Sequence, residues 1–233
     1  MISIVGKTET LKLSYFIVLF GTGVILISFF VALVFMKKEK PIYFKYIFIF
    51  IILGLLISLN SIIIKNYIWY LNSFTGILIQ QLLLLIQSII LGMFFIEVLK
   101  NSNLIKKIKF FLFFSILTQL TLLFIVFITK TEIKSNIASN LFLLICCLLY
   151  LRGLMYNKPT LILVKSSVFW IVIGIFYSSC ISLPINSLIP FIAKSNEYSN
   201  LRGQIFSITN MSVIILYLFI IKSYLCLKHP QNL

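Results

Sequence analysis

The chain has 233 residues, of which 61% are hydrophobic and 11% charged, and its formal net charge is +15. That apolar fraction excludes an ordinary soluble domain, and because all five acidic residues are glutamates, acidic metal clusters and aspartate-based catalysis lack their groups. The basic residues are scattered at the ends of apolar runs and form no basic domain or arginine-rich arm, so nucleic acid is not an expected partner.

A helix that crosses a bilayer needs about 20 mainly apolar residues, because the hydrocarbon core is about 30 Å thick and each residue rises about 1.5 Å. Seven runs meet this, and they predict an all-α fold: one polytopic membrane bundle of seven transmembrane helices filling a single domain over 1–233. Before the first run, Gly6-Lys7-Thr8 resembles the end of a phosphate-binding loop, but the position that needs the earlier glycine holds Met1.

The first span, 13–36, is longer than the roughly 7–15 residues of a signal-peptide core and ends at Lys37-Lys38-Glu39-Lys40, so it is expected to be retained. Gly21, Ser28 and Ala32 share one of its faces. The second, 42–64, carries Gly54, Ser58 and Ser61 on one face and Asn60 near its end. Such small-residue faces suit close helix packing in lipid, and a ligand groove is the other use for them.

The third span, 75–98, opens with Gln80-Gln81; Gln87 lies seven residues beyond Gln80 and so shares its face, and Glu97 closes the span. The fourth, 108–129, follows Lys106-Lys107-Lys109 and carries Gln119. The fifth, 134–151, is the shortest and holds Cys146 and Cys147. In the sixth, 166–191, Pro184 cannot donate to the Cys180 carbonyl, which predicts a bend near Ser182 and Asn186; Tyr177 lies near its middle. The seventh, 203–226, places Ser207, Asn210 and Tyr217 on one face and Lys222 near its end.

Short connections make consecutive helices antiparallel neighbours. With the amino terminus outside, thirteen basic residues fall on the cytoplasmic side and seven on the outer side, an orientation that obeys the positive-inside rule and leaves the carboxyl terminus cytoplasmic. A multi-pass protein of the cell membrane is therefore expected, its first partner the lipid bilayer. Anionic headgroups are a second use for the Lys106-Lys107-Lys109 cluster. Heavy use of lysine, isoleucine, asparagine and phenylalanine points to an AT-rich, bacterial source.

Sorted by depth, the uncharged polar residues concentrate in the outer half. Asn60, Gln80, Gln87, Gln119, Tyr177, Asn186, Ser207 and Asn210 form a candidate pocket, whereas the cytoplasmic halves are almost wholly apolar. A channel needs a polar path throughout, so the pattern predicts a dead-ended outer cavity. Interhelical hydrogen bonds between these amides are the competing use.

Chemistry has few places to sit. The single histidine, His229, lies in the tail beside Lys228 and Pro230, so no zinc site or Ser-His pair can form within the membrane. Four cysteines without paired spacing imply no disulfide framework, and no cofactor or metal is expected. Lys222 and Glu97 sit at span ends, away from where a retinal Schiff base and counter-ion would stand, and read as snorkelling groups, with a Glu97 pairing to Lys45 or Lys222 as an alternative.

From Tyr67 to Lys107, and from Phe169-Trp170 through Gly174 and Tyr177 to Asn210 and Tyr217, the chain resembles small seven-span membrane proteins of unassigned function common in Bacteroidota. Relatives of that kind often carry a glutamate early in the third span, where this chain has Gln80-Gln81. Their genes can neighbour sensor kinases, so the resemblance implies envelope signalling and supplies no catalytic residue. Three functions follow as expectations. The first is a non-enzymatic sensor or accessory subunit that works with a membrane partner such as a sensor kinase. The others are a transporter of a small neutral or lipid-like solute, and a lipid-modifying enzyme built on Glu97.

Overall fold

A computed structural model describes residues 2–36, 41–67, 73–99, 102–129, 137–157, 163–193 and 199–227, and its side chains within 16–36, 41–60, 78–99, 103–128, 137–155, 164–188 and 204–227, residues 126 and 206 excepted. Seven helices result: α1 (Ile2–Met36), α2 (Ile42–Tyr67), α3 (Ser73–Leu99), α4 (Ser102–Thr129), α5 (Ile137–Asn157), α6 (Ser167–Ala193) and α7 (Ser199–Cys226), with a single 3-10 turn at Leu163–Lys165 before α6. There is no strand among the described residues. Each helix contains a segment of 19 to 23 residues long and apolar enough to cross a membrane. Helix is the expected form there, since hydrocarbon offers no partner to an unpaired backbone N–H or C=O.

Several helices reach further than hydropathy predicts, α5 running to Asn157 past the expected end at 151. α1 begins at Ile2 and not at residue 13, and α4 begins at Ser102 and not at 108, running straight through Lys106, Lys107 and Lys109. Lysine is a good helix former, so charge ends the apolar segment without ending the helix. α6 is continuous through Pro184, whose side chain is on the exposed outside.

Every helix packs on its neighbours in sequence. α1 also packs on α7, and α3 touches α5. The arrangement is a ring of α1, α2, α3, α5, α6 and α7, with α4 lying outside over the α3–α5 seam. Large apolar side chains such as Phe110, Phe113 and Phe124 of α4 and Phe16 and Phe30 of α1 point outward, as lipid-facing residues do.

The two ends of the bundle differ. At the end where α7 finishes, Lys45, Lys106, Lys107, Lys109, Arg152, Lys165 and Lys222 are all exposed; this is called the basic end below. Trp170 sits there, its indole N–H donating to the Val164 carbonyl at 2.7 Å, its ring stacked on Phe219 and the Lys222 ammonium 6.0 Å above it. Glu97 is half-buried, and no ion pair joins it to Lys45 or Lys222 among the described residues. The other lysines, Arg202 and His229 have side chains outside the described residues.

Inside the ring at the basic end the core is aromatic and full. Phe44, Phe94, Phe95 and Tyr224 are completely buried, with the Phe44 and Tyr224 rings 5.1 Å apart and Phe94 and Phe95 5.2 Å apart. Ile47, Ile51, Ile171 and Ile220 belong to the same buried cluster. The six ring helices are too far apart for small residues to meet across the middle, so large side chains are what seal it.

Candidate functional site

Toward the opposite end the same ring is lined by small and polar residues, and the middle stays open as a cavity of about 360 Å³. All six ring helices contribute to its wall, and α4 does not. Its position along each helix resolves three levels, running from the interior outward over about 16 Å at about 1.5 Å per residue, as from Leu91 to Gln80 on α3.

The floor is apolar: Ile25, Phe50, Leu91, Leu143, Ile175 and Leu216 close it against the aromatic core. One turn higher come Gly21, Thr22, Gly54, Gln87, Asn140, Ser178 and Ser179. The outermost level carries Ser58, Gln80, Ser182, Asn186 and Asn210. Among the described residues no charged side chain, cysteine or histidine faces the cavity.

Tyr217 connects floor and middle. Its Cα is on α7 at floor level with its ring stacked on Phe50, centroids 5.9 Å apart, and helical side chains lean toward the helix N-terminus. The ring therefore rises across the ring of helices and presses its hydroxyl on Gly54 of α2; a Cβ at Gly54 would stand 2.8 Å from Tyr217 Cζ and closer still to Oη. The residue is 2% exposed, and its hydroxyl makes no hydrogen bond among the described residues. Since no fully buried side-chain oxygen or nitrogen among the described residues lacks a partner, that hydroxyl is open to the cavity whose wall Tyr217 joins.

The amides behave alike. Gln80, Gln87, Asn140 and Asn186 line the cavity and form no hydrogen bond among the described residues. Buried amides normally find protein partners, so these are available to water or to a bound molecule. Thr22 and Ser58 do pair: Thr22 donates to the Val18 carbonyl at 2.9 Å, and having one proton it accepts from Ser58, which ties α1 to α2 at the wall.

The residues expected at a pocket divide accordingly. Gln80, Gln87, Asn186 and Asn210 line the cavity. Asn60 is half-buried off its wall, where Ile57 and Ser58 take the α2 face. Tyr177 stands 39% exposed on the outer side of α6, because the next residue, Ser178, holds the inward face. Ser207 is half-buried and has a partner, without lining the cavity. Gln119 does not line the cavity but stands behind its wall: its amide donates to the hydroxyl of Ser88, a wall residue of α3, and to that of Ser115 on its own helix, each at 3.2 Å, and the first of these fastens α4 to α3.

Thr22, Ser178, Ser179, Thr209 and Tyr217 are cavity residues that a depth count of amides does not single out. A visible signal was Ser178-Ser182-Asn186, three polar residues at i, i+4 and i+8 on one face of α6. The small-residue faces serve both uses: Ser28 and Ala32 are wholly buried in helix contact, whereas Gly21, Gly54 and Ser58 also form cavity wall. Ser61 has its side chain outside the described residues.

No family model, no curated protein and no solved structure matches the chain. Membership of a Bacteroidota family therefore gains no support from them, and the fold and the cavity are the grounds on which function is argued.

Proposed function

We propose that the chain is a non-enzymatic sensor or accessory subunit of a bacterial cell membrane, in which the cavity takes an uncharged ligand and a membrane protein such as a sensor kinase reads the result. The carrying observation is the division of one ring into an open polar half and a sealed aromatic half. A ligand that favours one packing of α2 against α7 shifts the populations of the two, and Tyr217 and Tyr224 extend that contact toward the basic end. The excess of basic residues at that end supports placing it in the cytoplasm, with the amino terminus outside.

The transport of a small neutral solute needs the aromatic half to part, and no feature among the described residues favours a second opening. An enzyme built on Glu97 needs that carboxylate at the cavity, whose wall it does not join.

Affinity purification from native membranes in mild detergent, with quantitative mass spectrometry against an untagged strain, tests this reading. A stoichiometric membrane kinase or other regulator is the expected result. A monodisperse chain without any protein partner overturns it in favour of an autonomous carrier.

A further inference from the structure

The three levels of the cavity specify more than an uncharged ligand, and this inference rests on the reading of the cavity as a ligand site. We propose that the cavity binds a slender neutral amphiphile, a short acyl or alkyl chain joined through an ester- or ether-type oxygen to a hydroxyl-rich head, and that Tyr217 recognises the joining oxygen.

Charge is decided first. An ion moved to a site without an opposite charge loses several kcal/mol of solvation, and the described wall supplies no counter-charge. A neutral molecule meets no such penalty. Shape comes next: about 360 Å³ spread along a depth of about 16 Å makes the cavity deeper than it is wide, which suits an elongated molecule.

Chemistry then varies along that axis. At the floor, Phe50, Leu91, Leu143 and Ile175 offer only apolar contact, over roughly one helical turn from Phe50 to Gly54, which suits a tail of a few carbons. In the middle the Tyr217 phenol is a donor that the protein itself leaves without an acceptor among the described residues, and the Gln87 amide stands at the same level. Tyr217 is 2% exposed, aimed inward, and has no hydrogen bond among the described residues, so an oxygen of the ligand at that height is what completes it. Outermost, Gln80 and Asn186 each present an amide that both donates and accepts, the pairing hydroxyl groups require.

A free sugar satisfies the amides and leaves the floor wet, while a hydrocarbon satisfies the floor and strands the amides and the phenol. An amphiphile of this order, head outward, matches all three levels at once.

The test uses the full chain in phosphatidylcholine nanodiscs with radiolabelled 1-monohexanoylglycerol as probe, and with hexanoate, hexyltrimethylammonium and glycerol as competitors. One saturable site per chain is expected, displaced by unlabelled probe and by none of the three competitors at equal concentration. Tyr217→Phe, which keeps the ring and removes the donor, should weaken binding about five- to tenfold, the effect of one neutral hydrogen bond. Gly153→Ala, which faces open space away from the cavity, should leave binding unchanged. Absence of a saturable site, equal displacement by either ion, or unchanged affinity in a folded Tyr217→Phe protein overturns the proposal. Should that variant not fold, Gln87→Leu decides it by the same criterion. Probe binding without any protein partner would overturn the sensor reading and leave this inference standing; a stoichiometric partner with no probe binding would do the reverse.

Discussion

The hydroxyl of Tyr217 lies on Gly54 where any side chain would stand, so the tyrosine of α7 has its place only because α2 has none there. Gly54→Ala should therefore either push the phenol into the cavity or part α2 from α7. A loss of about 1–3 kcal/mol is expected, as for other overpacked cores. Adding Tyr217→Phe removes the nearest atom and should recover part of the loss. Thermal unfolding of the two single variants and the double variant in detergent gives the coupling, and additive losses would show that the two residues do not press on each other.

Glycines at helix contacts should separate by what they face. At Gly174 a Cβ would come within 2.9 Å of Phe219 Cβ and 3.4 Å of the Leu216 carbonyl, groups fixed to α7. At Gly92 it would meet only the branched tip of Leu112, at 2.7 Å, and a side chain can rotate away. Gly153 faces open space. Midpoints of thermal unfolding should fall most for Gly174→Ala and less for Gly92→Ala, and rise or hold for Gly153→Ala, where helix propensity alone acts and favours alanine by about 1 kcal/mol.

Gln119→Leu breaks the bond from α4 to Ser88 of α3 and the bond within α4 to Ser115. Interhelical polar contacts in membranes are worth about 0.6 kcal/mol on average and below 2 kcal/mol at most, so a small loss of stability is expected with ligand binding intact. A competition assay beside the melting curve checks both halves.

Gln80→Leu with Gln87→Leu should do the opposite. Neither amide bonds to protein among the described residues, so the fold loses nothing and its melting temperature should hold or rise. Output in a cell-based reporter should be lost, since the cavity wall turns apolar.

The aromatic half should block passage. In a Ser178→Cys variant, a water-soluble maleimide should modify the new thiol in the cavity while Cys146 and Cys147, both within 1% of complete burial, stay unreacted. Peptide-level mass spectrometry distinguishes the sites, and equal labelling would mean that the sealed half opens.

Seven spans were legible because each must supply enough apolar length to cross the bilayer, a demand no local detail overrides. Helix starts were less so: hydropathy ends at Lys109, but the helix passes through it to Ser102. Gln80 and Gln87 could be placed on one wall from their spacing. Gln119 could not, because its role depends on α4 standing outside the ring, a matter of tertiary order that no single helix encodes. Tyr177 missed the cavity by one residue, a rotation of about 100°. Tyr217 was visible on the right face, yet its importance comes from Gly54, distant in sequence and next to it in space.

Because α1 closes the ring against α7, the cavity has no complete wall until the last of these helices has been made and inserted. Through most of translation the open flank exposes Thr22, Gln87 and their neighbours to lipid or to whatever else the insertion machinery holds there. Contacts separated by so much chain form slowly, as the 180-residue interval between Phe44 and Tyr224 illustrates. Ribosome pausing or membrane proteolysis before α7 arrives would thus yield a chain with six spans and no closed cavity, so the completion of the cavity is a late event in the protein's biogenesis.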